Sequence, residues 1–234
     1  MATSTTSPFS LPSARPAPVP ELNLSTRRWL ALGAVAGPVL FTLAWLGLGF
    51  LSPGYTVFGT LIAPYSAIAQ PISGLGLGLT GPFMNAAFVI SGILLLCGVL
   101  GVFQILPAGG RPAARWTCAA LLALSPVGMV VAGIFTLESP LLHLLGALLA
   151  LVSPVLSFLA TGLLFRGIPG WRRFGNWLML SSPLTLVLVV LFFGSFDQAT
   201  TAANLGVAGL TQRLLSVELH AWFVALGWLA FRRS

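Results

Sequence analysis

The stretch "GLTQRLLSVELHAWFVALGWLAF", residues 209–231, is apolar enough to cross a membrane, yet it carries Arg213, Glu218 and His220. Such groups are scarce elsewhere: the chain has 11 basic residues, 4 acidic ones and 2 histidines. Glu138 and His143 stand in "FTLESPLLHLLGA", and Asp197 in "GSFDQAT". Asn85 and the neutral polar groups Ser66, Gln70 and Ser73 lie earlier in the chain. Three chemistries use these types. Imidazoles with carboxylates are the usual oxygen and nitrogen ligands of zinc. A serine beside a histidine and a carboxylate, for which Ser73, His143 and Glu218 supply the types, is the set of an activated nucleophile. Ionisable side chains inside a membrane also form proton or ion pathways and ligand sites. The zinc reading is weakened by the lack of an HExxH pair and of a third histidine. The pathway reading is weakened by the cytoplasmic halves of the helices, which offer little beyond Gln104, Ser157, Thr161 and Asn176.

Spacing limits which groups can meet. Arg213 and His220 are seven residues apart and share a helix face at about 3.6 residues per turn. Glu218 points roughly 160° away from His220 on the same helix. At about 1.5 Å per residue, Glu218 and His220 lie roughly 8–10 Å deeper than Arg213. A charge at that depth costs a few kcal/mol unless paired or hydrated, so partners are expected. The economical pairs are Arg213 with Asp197 or Glu138, and Glu218 with a histidine or a hydroxyl.

The elements that must position these groups follow from composition. The chain is 57% hydrophobic and 6% charged, against about 25% charged in a soluble domain, which excludes a water-soluble fold. Six segments reach the length of about 20 apolar residues that a bilayer requires: 29–51, 82–105, 114–136, 140–165, 174–196 and 211–231. The expected fold is therefore all-α, a polytopic bundle of six transmembrane helices over 27–234. Residues 1–26, rich in Pro, Ser and Thr and without the apolar core of a signal peptide, read as a disordered cytoplasmic tail. Pro38, Pro126, Pro154 and Pro183 fall inside spans, where membrane helices tolerate them as kinks.

Six alternating spans put Arg15, Arg27, Arg28, Arg111, Arg115, Arg166, Arg172, Arg173, Arg232 and Arg233 on one side and only Arg213 on the other. The positive-inside rule then places both termini in the cytoplasm; the expected location is the plasma membrane. The net charge of +7 is a topology signal; no nucleic-acid module is present. Cys97 and Cys118 fall on the reducing side and are expected as free thiols. Residues 52–81 form a long outer loop without a charge, expected to lie at the interface or fold back over the bundle. Its tyrosines, Tyr55 and Tyr65, read as interfacial anchors, and Ser66, Gln70 and Ser73 as groups a lid would present. In the fourth span Gly146, Ala150, Ser153, Ser157 and Ala160 make a small-residue stripe that lets neighbouring backbones approach.

Three stretches, "PYSAIAQPISGLGLG", "GIFTLESPLLHLLGALLA" and "GLTQRL" with Trp222 downstream, resemble an uncharacterised family of bacterial six-helix membrane proteins, domain of unknown function 998. The resemblance covers most of 30–231. It implies that Ser66, Ser73, His143 and Arg213 match positions the family keeps polar, and that an Asp is expected where this chain has Glu138. It implies a fold and a location but no activity. A more distant likeness to membrane-embedded metal hydrolases is one of fold alone.

The expected function is a polar, outward-facing pocket that binds or handles a small or lipidic molecule, with Ser66, Ser73, Asn85, Glu138, His143, Asp197, Arg213, Glu218 and His220 as candidates. The alternatives are an intramembrane hydrolase, with zinc as its conceivable metal, and a structural or assembly subunit. The lipid bilayer is the one partner the sequence requires.

Overall fold

A computed structural model describes residues 23–107 and 112–233. The tail expected over 1–26 lies almost wholly outside the described residues, as does Arg111. The first helix begins at Leu24, a little before the expected domain start, because the Asn23 side chain accepts the N–H of Ser25 and caps it.

Among the described residues six helical spans are long and apolar enough to cross a membrane: Leu24–Leu51, Gly78–Ile105, Pro112–Ile134, Pro140–Arg166, Arg172–Ser195 and Ala208–Arg233. They pack as one bundle around a shared apolar core. The protein is an all-α polytopic membrane protein. Three spans are interrupted. The first is divided at Leu32 into α1 (Leu24–Ala31) and α2 (Gly33–Leu51). The second opens with a short 3-10 turn before α3 (Gly81–Ile105), and the third is α4 (Pro112–Ile134). The fourth is α5 (Pro140–Ala147), a π-helical turn at Leu148–Val152, then α6 (Ser153–Arg166). Pro154 lies just past the π turn, and the Leu149 and Ala150 carbonyls behind it accept the hydroxyls of Ser153 and Ser125 in place of its missing N–H. The fifth is α7 (Arg172–Ser195), followed by the short α8 (Gln198–Ala202), and the sixth is α9 (Ala208–Arg233).

The π turn matters for the shape of the bundle. Below it α6 runs closely along α7, whereas above it α5 packs on α4. Spans four and five therefore diverge toward one end. The upper part of the small-residue stripe, Gly146 and Ala150, sits on the α4 contact. A Cβ on Gly146 would meet the Ala132 backbone nitrogen of α4 at 2.7 Å, so only glycine allows that approach.

Residues 52–77 fold back over that end. Tyr55–Val57 (β1) and Thr60–Ile62 (β2) form an antiparallel hairpin in the register Tyr55 to Ile62 and Val57 to Thr60. Phe58 and Gly59 at its tip both have positive φ, 48° and 77°, as a two-residue hairpin turn of right-handed twist requires. A 3-10 turn, Ile72–Gly76, then dips into the bundle and is wholly buried. Tyr55 is 3% exposed and packs with Ile62 and Leu77. The tyrosines are thus internal props of the loop, not interfacial anchors. The loop needs apolar cores of its own to hold its shape, and both rings serve that.

Candidate functional site

Arg213 fixes the loop to the sixth span. Its Nη1 donates to the carbonyls of Ala67, Gln70 and Gly209 at 2.7, 3.0 and 2.9 Å, and its Nη2 donates to the Tyr65 hydroxyl at 2.5 Å. The guanidinium also lies over the Trp45 and Tyr65 rings. The expected pairing with Asp197 or Glu138 is not found. The turns of the loop leave carbonyls without helical or strand partners, and a planar fork of donors suits several such acceptors at once. Loop and α9 touch closely here: a Cβ on Gly209 would sit 2.2 Å from the Gln70 carbonyl. Burial pushes the Tyr65 phenol above its ordinary pKa, with Arg213 partly offsetting this, and burial raises Tyr55 as well.

Other polar candidates are local struts. The Ser66 Oγ accepts from the Ala69 N–H. Gln70 Nε2 donates to the Thr201 carbonyl at 3.2 Å and to Asn204 Oδ1, tying the loop to the connection before α9. Asn85 donates to the Gly76 carbonyl at 3.0 Å and steadies the 3-10 turn. Asp197 caps α8, and the Thr200 N–H at 2.9 Å holds its exposed carboxyl below the usual range. Glu138 is exposed in the link before α5. Glu218 faces away from His220, as its angular position requires. Its carboxylate accepts from Trp222 Nε1 at 2.8 Å, and the Thr185 hydroxyl of α7 lies 3.1 Å from both its oxygens. A hydroxyl partner was among the expected ones.

Ser73, His143 and His220 do come together, around the inner of two adjoining chambers. The outer chamber, about 370 Å³, fills the gap where spans four and five diverge. Val57, Phe58 and Ile62 of the hairpin, Leu137, Leu144 of α5, and Phe192, Phe193 and Phe196 make it overwhelmingly apolar. Phe58, Leu144 and Phe196 at its rim are 61%, 46% and 43% exposed. The inner chamber, about 40 Å³, lies deeper, between Phe41, Phe88, Met129, Leu151 and Leu219. Ser73, His143, Ala147 and Gln212 line both chambers and so form the wall they share. Ser125, Ser216 and His220 border the inner chamber.

The polar groups there are well placed. The His143 Nδ1 is 2.7 Å from the Phe135 carbonyl. A carbonyl only accepts, so Nδ1 carries a hydrogen, and in the neutral ring Nε2 is left as an acceptor. Gln212 Oε1 accepts the Ile72 N–H at 2.6 Å, holding the 3-10 turn against α9. Ser125 donates to the Ala150 carbonyl at 2.9 Å. His220 is 9% exposed and stacks edge-on with Phe41, and its Nδ1 is buried with no hydrogen-bond partner among the described residues.

The nucleophilic set Ser73, His143 and Glu218 is not assembled, because Glu218 is engaged with α7 on another face of α9. Nor do the described residues gather three or more His, Cys, Asp or Glu side chains in a metal-holding group. Sequence reasoning missed Gln212 and Ser216. Their signal was present: Gln212, Ser216 and His220 recur every four residues and so share one face of α9.

The fold defines a polytopic membrane protein of six apolar spans packed in one bundle. The chain belongs to the family described as "Protein of unknown function (DUF998)", which it matches over residues 35–229. Comparison with curated proteins and with solved structures returned no match.

Proposed function

We propose that this protein binds a small apolar or amphipathic molecule in the two-chamber cavity, on the non-cytoplasmic side of the plasma membrane. The observation that carries the reading is the chamber of about 370 Å³, within the range of small-molecule sites, whose mostly apolar walls also present Ser73, His143 and Gln212. Its position in the gap between two spans gives a molecule dissolved in the bilayer a route in. The side assignment is supported by the arginines. Arg27, Arg28, Arg115, Arg166, Arg172, Arg173, Arg232 and Arg233 all sit near the ends of spans opposite the folded-back loop, and of the described arginines Arg213 alone lies beneath it.

The test is ligand capture by the purified full chain in detergent, read by native mass spectrometry of co-purifying small molecules and by displacement of a fluorescent hydrophobic probe. The wild type is expected to carry such molecules and to release them to the probe. Ala147→Trp, which puts a bulky ring into the wall both chambers share, is expected to abolish both while circular dichroism and elution stay unchanged. Equal capture by the Ala147→Trp variant would refute the cavity as the site.

A further inference from the structure

The two chambers differ in chemistry, and that difference narrows the ligand class, a step that rests on the cavity being a binding site. Among the described residues no Asp, Glu, Lys or Arg lines either chamber. The ionisable groups nearest in sequence are committed elsewhere: Arg213 to loop carbonyls, and Glu218 to Trp222 and Thr185. A formal charge in the inner chamber would lie against Phe41, Phe88, Met129, Leu151 and Leu219 with no counter-ion supplied by the lining. The inner chamber is nonetheless polar on one side. His220, nine-tenths buried, borders it with an Nδ1 that has no partner among the described residues. Unpartnered buried polar atoms are uncommon and call for a partner of some kind. Along the same face of α9 stand Ser216 and Gln212, and across from them Ser73 and His143. At about 40 Å³ the inner chamber has room for roughly three water-sized groups at ~10–15 Å³ each, so it suits a compact head and not a phosphodiester or a sugar.

We infer that the inner chamber takes the uncharged hydrogen-bonding head, a hydroxyl or a primary amide, of a single-chain amphiphile drawn from the bilayer, whose tail passes between the side chains of the shared wall, Ser73, His143, Ala147 and Gln212, into the outer chamber. The head offers a hydrogen to an imidazole acceptor and accepts from a hydroxyl. The tail runs out between Leu144 and Phe196, where the rim is apolar and exposed, and Phe58 at the hairpin tip covers it. Phe58 itself adopts a left-handed backbone, uncommon for a bulky side chain, which places an aromatic ring at this mouth.

The experiment compares dodecane, dodecanol, dodecanamide, dodecyl phosphate and dodecyltrimethylammonium as competitors of the fluorescent probe on the intact purified protein. Dodecanol and dodecanamide are expected to bind at least about tenfold more tightly than either charged compound and than dodecane. In Ser216→Ala and in His220→Leu, the preference over dodecane is expected to shrink to within about threefold, while dodecane itself still competes. The serine variant keeps the test sound should the leucine variant fold poorly. Equal competition by all heads, or tighter binding of a charged one, overturns the inner-chamber assignment and leaves the cavity reading standing. Failure of every compound, dodecane included, overturns the cavity reading itself. Butanol matching dodecanol at equal concentration would overturn the bilayer as source in favour of a water-borne alcohol.

Discussion

Replacing Arg213 by leucine tests how the loop that roofs the cavity is held. Three carbonyls lie 2.7–3.0 Å from Nη1. That nitrogen carries only two hydrogens, so at least one carbonyl shares, and the Tyr65 hydroxyl adds one contact through Nη2. This amounts to about three charge-assisted bonds at ~1.5–3 kcal/mol each, or roughly 5–9 kcal/mol gross. Leucine removes the cost of burying a guanidinium, which is several kcal/mol and acts in the opposite direction. The net loss works out at about 2–4 kcal/mol. It should be local, because the six-span core does not depend on this contact. The loop keeps weaker ties, from Gln70 to Thr201 and from Ile72 to Gln212, so it opens more often without detaching. Amide hydrogen exchange across 66–76 is expected to speed up by roughly 30- to 700-fold, with α3 and α4 unchanged. Arg213→Lys should fall between, since an ammonium cannot span both the carbonyls and the tyrosine. Unaltered exchange across 66–76 in the leucine variant would show that something else holds the loop.

Glu218→Ala leaves the Trp222 indole N–H without its acceptor and should lower thermal stability by about 1–3 kcal/mol, while Glu218→Gln keeps an acceptor and should lower it by less; equal losses would contradict the Trp222 contact. Gly146→Ala drives a Cβ to 2.7 Å from Ala132 and should depress the unfolding temperature, whereas Gly194→Ala, which meets nothing within 4 Å, should leave it unchanged or raise it by the helix preference of alanine, ~0.5–1 kcal/mol. Burial raises both tyrosine pKa values, so the folded protein should show little phenolate absorbance at about pH 10, near the usual midpoint; stability from these phenols is complete below that pH and is lost as pH rises through their folded values. Half-ionisation of both tyrosines at about pH 10 with the fold intact would contradict their placement.

The spans were legible because hydrocarbon demands long apolar helices, and their number was legible because the arginines sort to one side. The stripe around Gly146 was legible for the same reason, as close packing in lipid needs small residues. What was not legible came mostly from backbone groups. Arg213 binds carbonyls, and a carbonyl has no sequence signature. The hairpin was hidden because its tip is Phe58–Gly59, not the Asn-Gly or Asp-Gly pair that marks such turns. The divergence of spans four and five depends on a π turn at Leu148–Val152 that hydropathy cannot show. Asp197 was read as a bundle partner although "DQAT" spells a helix cap, because a rare carboxylate draws attention to its charge before its neighbours. The cavity floor was half seen. Ser73, His143 and His220 stood out by type, while Gln212 and Ser216 were overlooked beside the charged residues next to them, Arg213 and Glu218.

The most direct test of the ligand site is photolabelling of the full chain with dodecanol bearing a diazirine midway along its tail, followed by peptide mapping. Adducts concentrated at 137–147 and 192–198, and suppressed by unlabelled dodecanol, are the predicted result. Labels spread evenly over lipid-facing positions such as Leu163, Leu180 and Leu214, with no suppression, would contradict it.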